Sequence, residues 1–530
     1  MLETDSIQSY IFATNKLKEI RGASAIIDRL NLEDTPTLIH KHFPRNNLNN
    51  ELGIDETIRF ADFDKLDAWV VSLGGGATRI LVPQSNTAAA NNFLAEVTEL
   101  CKKVSSAGAT STHAIVEQRD QETDKVFLER AEATLRYLKQ NKLVLSQSAS
   151  NPFHKVCDSS GSVWAGLYIE SEDTFISRQT AAKRARSARG LYFEQFAAHT
   201  QRSEKAPNLI TDYLVAAHSE RDRFVPDDLN AIGDLSTPSG YIALIYADGN
   251  RMGWRLQNHF TSFEQISEFS EKIRRGTRTA LFDALLPLIE MQTAYFPFEV
   301  FFVGGDDILL AMPVQHANDF AVDFGEKFKT NTSYMTGASV RTCVSLGVGI
   351  VFAHANHPVR QLIDIAKDLA SAAKVESQKA FIQSGMTAEE NYFNFVVNKG
   401  STIRDYADMC ESELMYDDIV RSESKSIILH KRPYSQVAFY ELLVTIRALK
   451  QARMPRSKIA QMYRALYSGW AQGTLDCLRI ADRLPQRARD VLMRRFNEIN
   501  QYPWHHNADG QYETPIVDWI ELYDFVQEQR

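Results

Sequence analysis

Residues 298–313 read FEVFFVGGDDILLAMP. Two apolar runs flank Gly304, Gly305, Asp306 and Asp307, and a proline closes the second run. This is the pattern of two strands joined by a glycine-bearing hairpin turn. Two aspartates at such a tip add nothing to packing and are costly if buried without partners. They suit a divalent cation, because Mg²⁺ prefers carboxylate oxygens and keeps water or substrate phosphates as its other ligands. The glycines let a triphosphate approach the backbone. An ordinary turn is the alternative, since Gly and Asp both favour turns. The strands on both sides and a second strand-end aspartate upstream weigh against it.

That upstream aspartate is Asp248, in YIALIYADGNRMGWRL, which starts at Tyr241. An apolar strand ends at the acid and a helix follows. A palm fold places this strand beside the hairpin, so Asp248, Asp306 and Asp307 are expected to form a two-metal site. Such a site promotes attack of a ribose hydroxyl on an α-phosphate and stabilises the pyrophosphate that leaves. Asn250 and Arg251 read either as nucleotide contacts or as helix-start residues. Downstream, VRQLIDIAKDLASAAK carries Ala366, Leu369, Ala370 and Ala373 on one helical face and is expected to end at Lys374. Lys374 reads as a phosphate contact or as an exposed lysine at a helix C-terminus. The residues alone leave both open.

The same order occurs once earlier in the chain. LETDSIQSYIFATNKL carries Asp5 where the second copy carries Asp248, and AWVVSLGGGATRILVP (residues 68–83) parallels the hairpin. STHAIVE and a helix ending in YLKQNK follow, as RTCVSLGVGIVFA and the Lys374 helix do in the second copy. Strand, helix, hairpin, helix, strand, helix is the order of a ferredoxin-like unit. The fold class is therefore α+β: two ferredoxin-like palm domains plus a C-terminal α-helical bundle. The expected boundaries are 1–149 for a degenerate first palm, 150–235 for an inter-palm region, 236–399 for the second palm and 400–530 for the helical domain. Gly76 and Ala77 replace the acidic pair in the first copy, and Asp5 alone cannot hold two ions. That palm is expected to be catalytically silent, binding a nucleotide or sharing a cleft with the second. In FHKVCDSSG, His154 and Cys157 have no second ligand pair nearby, so zinc is not expected there.

Bulk properties narrow the field. The chain has 530 residues, enough for several domains. Its 44% hydrophobic and 24% charged residues are those of a globular protein. A formal net charge of -8 excludes a globally basic nucleic-acid surface. Five scattered cysteines fit a reducing, cytoplasmic setting. Neither a membrane span nor a signal peptide is expected.

These motifs resemble the large palm-domain subunit of type III CRISPR effector complexes, the CRISPR polymerase of Cmr/Csm large-subunit type. DSIQSYIFATNKLKEIRGAS is similar to that family's first palm, IYADGNRMG and FFVGGDDILL to its second, and RPYSQ to the start of its helical domain. More distantly, the second palm resembles GGDEF diguanylate cyclases through SLGVGI and the small-residue helix. The resemblance implies a nucleotidyltransferase making a cyclic oligoadenylate second messenger from ATP in antiviral defence. It implies Mg²⁺ or Mn²⁺ as cofactor, Asp248, Asp306 and Asp307 as catalytic metal ligands, and Gly304, Gly305, Asn250 and Lys374 around the nucleotide. Implied partners are ATP, guide RNA and other CRISPR effector subunits, with self-association left open and no membrane. Two departures stand out. Asp5 lies so close to the start that an HD nuclease domain is not expected, and CDSSG with SRQTAAKRARS looks like a four-cysteine zinc element that has lost most ligands. A stand-alone relative, a catalytically quiet nucleotide-binding scaffold of a ribonucleoprotein, and a GTP-using cyclase are the competing expectations.

Overall fold

The computed structural model describes the chain except residues 143–152, 187–190, 202–207, 218–219, 290–292, 337–339, 399, 401–405, 421–422, 495, 497–501, 508 and 529–530. The expected boundary at 149/150 and the end of the basic stretch at 181–190 lie outside the described residues. In chain order, the first palm is built from β1 (Leu2–Asp5), α1 (Leu17–Arg29), β2 (Trp69–Gly74), β3 (Ala77–Leu81), α2 (Thr87–Val104), β4 (Thr110–His113) and α3 (Asp124–Gln140). A small hairpin follows, β5 (Leu167–Ile169) and β6 (Thr174–Ile176). The second palm comprises β7 (Tyr241–Gly249), α4 (Phe263–Ile289), β8 (Glu299–Val303), β9 (Asp307–Pro313), β10 (Leu346–His354), α5 (Val359–Gln383) and β11 (Tyr392–Val397). This is the expected α+β class.

The chain divides into two compact units. The first comprises Met1–Asp228, Arg251–Leu310 and Glu326–Val344. Its four-stranded sheet runs β2-β3-β1-β4, with β1 antiparallel to both neighbours. Asp5 pairs across to Thr110 and Glu3 to Ala77. Leu2, Ile39, Phe43, Val70, Phe93 and Val97 form the core beneath this sheet. The same unit holds the second palm's α4, β8 and the first residues of β9, and helices are exchanged between the two hairpins. Ser267 of α4 donates to the carbonyl of Val70 in β2 (3.1 Å), while Arg21 of α1 forms a buried ion pair with Glu299 of β8 (2.5 Å). Gly22 makes a close approach possible on α1's other side: a Cβ there would lie 1.8 Å from the Lys183 carbonyl oxygen.

The second unit comprises Leu229–Asn250, Ala311–Gly325 and Ser345–Arg530. Its strands run from Tyr434–Ser435 through β11, β10 and β7 to the C-terminal half of β9. β7 and β10 are antiparallel over their full lengths, from Tyr241 opposite His354 to Gly249 opposite Leu346. β10 and β11 are parallel. Residues 242–247 of β7 are buried, as their unbroken apolar run requires of a central strand covered on both faces. The C-terminal part holds the expected helices, among them Gln436–Gln451, Arg456–Leu466 and Trp470–Asp482. It also holds a four-stranded sheet made of Met415–Val420, Glu423–Ile428, Tyr512–Glu513 and His505–His506. Those strands are short and carry acids, lysine and serines between their apolar residues, which is why the apolar periodicity read there was only helical.

Candidate functional site

In the second unit, Asp248 lies one residue from the end of β7, opposite Gly347 of β10. Helix α5 crosses directly over this pair because β10 carries glycine at two places where the helix touches it. A Cβ at Gly349 would stand 2.0 Å from the Ala366 carbonyl oxygen, and one at Gly347 would stand 2.6 Å from Lys374 Cγ. Ala366, Ala370 and Ala373 supply the small face on the helix side and are fully buried. The close approach brings Lys374 over the strand end, where its Nζ lies 2.5 Å from Asp248 Oδ2. Both side chains keep about a third of their surface open, 31% and 27%. Tyr246 donates its hydroxyl to the same carboxylate oxygen at 3.3 Å.

The expectation that the helix ends at Lys374 is corrected. α5 continues to Gln383, with Phe381 buried two turns further on, and stops before Gly385 at φ 69°. Lys374 is a mid-helix residue, so the helix-terminus explanation for it does not apply. Asn250 is buried, 1% exposed. Its Nδ2 donates to Ser345 Oγ and Ser377 Oγ, each at 3.0 Å, and its backbone N–H to the Ser345 carbonyl at 2.7 Å. Ser345 in turn donates to Glu389 (2.9 Å). These bonds tie the turn after Asp248 to β10 and α5.

In the first unit, Gly304, Gly305 and Asp306 form the turn between β8 and Asp307, the first residue of β9. All four residues of the motif are half-buried. The Gly304 N–H donates to the Asp307 carbonyl at 2.7 Å, and Thr277 Oγ1 of α4 donates to the Gly305 carbonyl at 2.7 Å. Glycine at 304 lets the Asp307 carboxylate fold across the turn, since a Cβ there would fall 1.8 Å from Asp307 Oδ1. Gly305 instead faces open space. The first palm's hairpin glycines come up against this turn: a Cβ at Gly75 would lie 3.5 Å from the Gly305 nitrogen. Between the two hairpins lies a cavity of about 120 Å³.

The first palm repeats the Asp–Lys pairing. Lys142 Nζ lies 2.6 Å from Asp5 Oδ2, and Thr110 and Thr112 donate to the same carboxylate at 3.0 and 2.9 Å. Asp5 is thus held by cation and hydroxyls on a palm without the acidic hairpin. Between the palms, Cys157 Sγ lies 3.4 Å from Thr180 Oγ1, and the backbone N–H groups of Ser160 and Ser177 also point at it. Together with the Thr180 and Ser160 hydroxyls they bring the thiol down to about 7 against the opposing effect of burial. His154 stacks on Trp164 at 4.4 Å. Two residues that matter here carried no motif: Asp28 on α1 and Arg278 on α4 both line the cavity between the hairpins.

Among the described residues, no three carboxylate, imidazole or thiolate groups converge as a ready metal cage. No described helix is long and apolar enough to cross a membrane.

Comparisons with known proteins agree with this architecture. Residues 241–383 match the model of the Cas10/Cmr2 second palm domain. No curated protein matches the chain. Among solved structures, a Csm1-Csm4 cassette in complex with cA4 is similar, with TM-score 0.54 and 12% identity, over 100% of this chain and 69% of that one. A Csm1-Csm4 cassette in complex with pppApApA (TM-score 0.53, 12% identity) and Csm1 from T. onnurineus (TM-score 0.50, 14% identity) cover the same shares, 100% and 69%. The chain thus carries a Cas10/Cmr2 second palm domain over residues 241–383 and shares the Csm1 fold along its length.

Proposed function

We propose that the chain is a metal-dependent nucleotidyltransferase that joins ATP into cyclic oligoadenylate. The observation that carries this reading is the placement of Lys374 on Asp248 at a strand end, made possible by Gly347 and Gly349. A lysine and an aspartate held this way keep about a third of their surface open to solvent. They are charges with which a triphosphate and its metal ion would exchange. Cyclic and linear oligoadenylates bound to Csm1-Csm4 cassettes of the same fold support ATP as the substrate.

The donor set fits a hard cation. Asp248, Asp306 and Asp307 are carboxylates, and Mg²⁺ or Mn²⁺ takes one or two of these with substrate phosphates completing the shell. When bound, such ions would acidify the attacking hydroxyl and neutralise the pyrophosphate that departs. The chain's own residues do the rest. Gly305 leaves its open side for phosphate oxygens to approach the backbone. Gly304 lets Asp307 fold across the turn. Lys374 leaves Asp248 for a phosphate oxygen as the triphosphate arrives, and Asn250 keeps the Asp248 turn fixed. In the reaction, a ribose hydroxyl oxygen bonds to the α-phosphorus of a second ATP, the bond to pyrophosphate breaks, and the hydroxyl proton passes to solvent.

The Csm1-Csm4 cassettes also support a second CRISPR subunit as a partner; guide RNA is part of the proposal on the sequence resemblance alone. The test is incubation of the purified protein with each labelled nucleoside triphosphate and Mg²⁺ or Mn²⁺, with products resolved by chromatography and mass spectrometry. A cyclic oligoadenylate from ATP that vanishes in the D306A/D307A variant is expected. A product unchanged in that variant overturns the site. ATP binding without product, alone and with a partner subunit, makes the chain a nucleotide-binding scaffold instead.

A further inference from the structure

The turn that carries Asp248 is held by a buried polar cluster that reaches well beyond it. Asn250 follows Asp248 in that turn, and Ser377 stands one turn of α5 after Lys374. The Asn250 amide donates to both Ser345 Oγ and Ser377 Oγ, so one side chain ties the strand end bearing the aspartate to the helical turn bearing the lysine. Asn250, Ser345 and Ser377 are 1%, 0% and 2% exposed. Each serine hydroxyl directs its single hydrogen away from Asn250. Ser345 gives it to the Glu389 carboxylate (2.9 Å) and Ser377 to the Glu390 carbonyl (3.3 Å), and both of those groups only accept. The serines therefore turn lone pairs toward position 250, which suits the two hydrogens of an amide nitrogen.

Glu389 and Glu390 belong to the segment that joins α5 to β11, and the next residue fastens that segment. Asn391 is fully buried. It accepts from the Leu346 N–H through Oδ1 (2.8 Å), donates through Nδ2 to Gln436 Oε1, and accepts at its carbonyl from the Gln436 N–H (2.9 Å). Gln436 opens the helix Gln436–Gln451. Three consecutive residues thus strap the segment to the start of β10, to α5 and to the first C-terminal helix. Glu389 itself is only half-buried. Its contribution to the core is small, yet it decides where the Ser345 hydrogen points. Resting on the reading of Asp248 as a metal ligand, we propose that Glu389 is a positioning residue for that site. Through Ser345 it sets the orientation of the Asn250 amide, and the amide sets the spacing of Asp248 and Lys374. Without the Glu389 acceptor, the Ser345 hydrogen can swing toward position 250, where it opposes the amide hydrogens. A buried polar network holds one arrangement only while every member is satisfied.

The experiment titrates the full chain with Mn²⁺ in the absence of nucleotide, read by electron paramagnetic resonance. It compares wild type with D248N, E389A, E389Q, S345A and S345A/E389A, each checked by thermal melting. D248N should weaken Mn²⁺ binding. E389A should weaken it about tenfold, the lower end of what loss of an outer-sphere partner costs a metal site, with an unchanged melting temperature. E389Q, whose amide oxygen still accepts from Ser345, should restore the wild-type affinity. In the S345A background E389A should add nothing, because residues that act in series are not additive. Equal weakening in E389A and E389Q would make the effect one of charge and overturn the inference. An undiminished E389A effect in S345A would overturn it too, as would no effect of E389A at all. Each of these results leaves the proposed function standing. If S345A fails to fold, the contrast between E389A and E389Q decides alone. Mn²⁺ binding that D248N does not weaken overturns Asp248 as a metal ligand, and the inference with it.

Discussion

Lys374 Nζ lies 2.5 Å from Asp248 Oδ2, where a metal ligand would have to give up its cation partner. The lysine therefore competes with a divalent ion for the same oxygen. The pair is about a third exposed, so the competition is modest, within the ~0–1 kcal/mol of half-solvated ion pairs. K374M should bind Mn²⁺ about threefold more tightly than wild type in the absence of nucleotide, yet bind ATP with Mn²⁺ more weakly, because the phosphate loses its cation. Titration of Mn²⁺ by electron paramagnetic resonance, with and without ATP, reads both. Equal losses in the two titrations would make Lys374 merely structural.

The two hairpin glycines should behave differently. Alanine at Gly304 puts a methyl group where Asp307 Oδ1 now lies, 1.8 Å from the Cβ position, so the carboxylate must swing away. Displacing a ligand by about an ångström costs on the order of a hundredfold in rate. Alanine at Gly305 meets nothing within 4 Å. G304A should lose about a hundredfold in turnover with an unchanged melting temperature. G305A should keep most of its turnover and raise the KM for ATP, since the methyl group intrudes on the open side. Equal effects of the two substitutions on turnover would contradict the turn geometry.

Much of this was legible in sequence because backbone demands leave residue-type marks. The hairpin showed in Gly304 and Gly305 between apolar runs, and the duplication in Asp5 and Asp248 preceding parallel hairpins. The glycines of SLGVGI and the alanines of the following helix are the two halves of one contact, and each was visible alone. What the sequence hid is whatever depends on distant partners. Lys374 looked like a helix end because small residues stop there, but Phe381 and the helix-forming residues around it carry the helix on. Asp28 has ordinary neighbours in sequence, and only the convergence of α1, α4 and two turns makes it a buried acceptor. Asn250 was read as a ligand contact or a helix start. Its amide bonds to Ser345 and Ser377, 95 and 127 residues away, could not be anticipated locally.

Acid should weaken the second unit through His430. Burial, reinforced by the Arg432 charge, pushes its pKa from 6.5 down to about 3. The unfolded chain then binds the proton between about pH 6.5 and 3 while the folded one does not. Stability is full above that window and falls with pH inside it, by up to about 1.4 kcal/mol per pH unit for this group. Asp518, raised to about 6 by burial despite Arg432, acts in the opposite direction between about pH 6 and 3.8, since its folded form takes the proton first. Urea midpoints at pH 7, 6, 5 and 4 should therefore fall less steeply in H430L than in wild type. Parallel slopes would mean that His430 is protonated in the folded state.

The inter-palm hairpin should accept zinc once its ligands are restored. Cys157 and Ser160 are separated by two residues, as are Ser177 and Thr180, and 16 residues (161–176) lie between the pairs. That is the spacing of a four-cysteine zinc site, two close pairs with roughly 15–20 residues between them. The structure brings the four positions together. Thr180 Oγ1 contacts the Cys157 sulfur at 3.4 Å and accepts from Ser177 Oγ at 3.0 Å, while the N–H groups of Ser160 and Ser177 point at the sulfur as they would at a thiolate ligand. A hydroxyl network thus links Cys157, Thr180 and Ser177 next to the hairpin β5–β6. S160C/S177C/T180C should bind one zinc per chain in a tetrahedral thiolate site. It should also melt higher in zinc than in a chelator, because metal binding adds to folding free energy. Wild type, with one thiol of the four, should show neither effect. Cobalt substitution reads the geometry directly, through the visible absorption of a tetrahedral thiolate complex. A triple variant that takes up no cobalt while remaining folded would show that the four positions are too far apart to share an ion, and that the hydroxyl network is not a vestige of one.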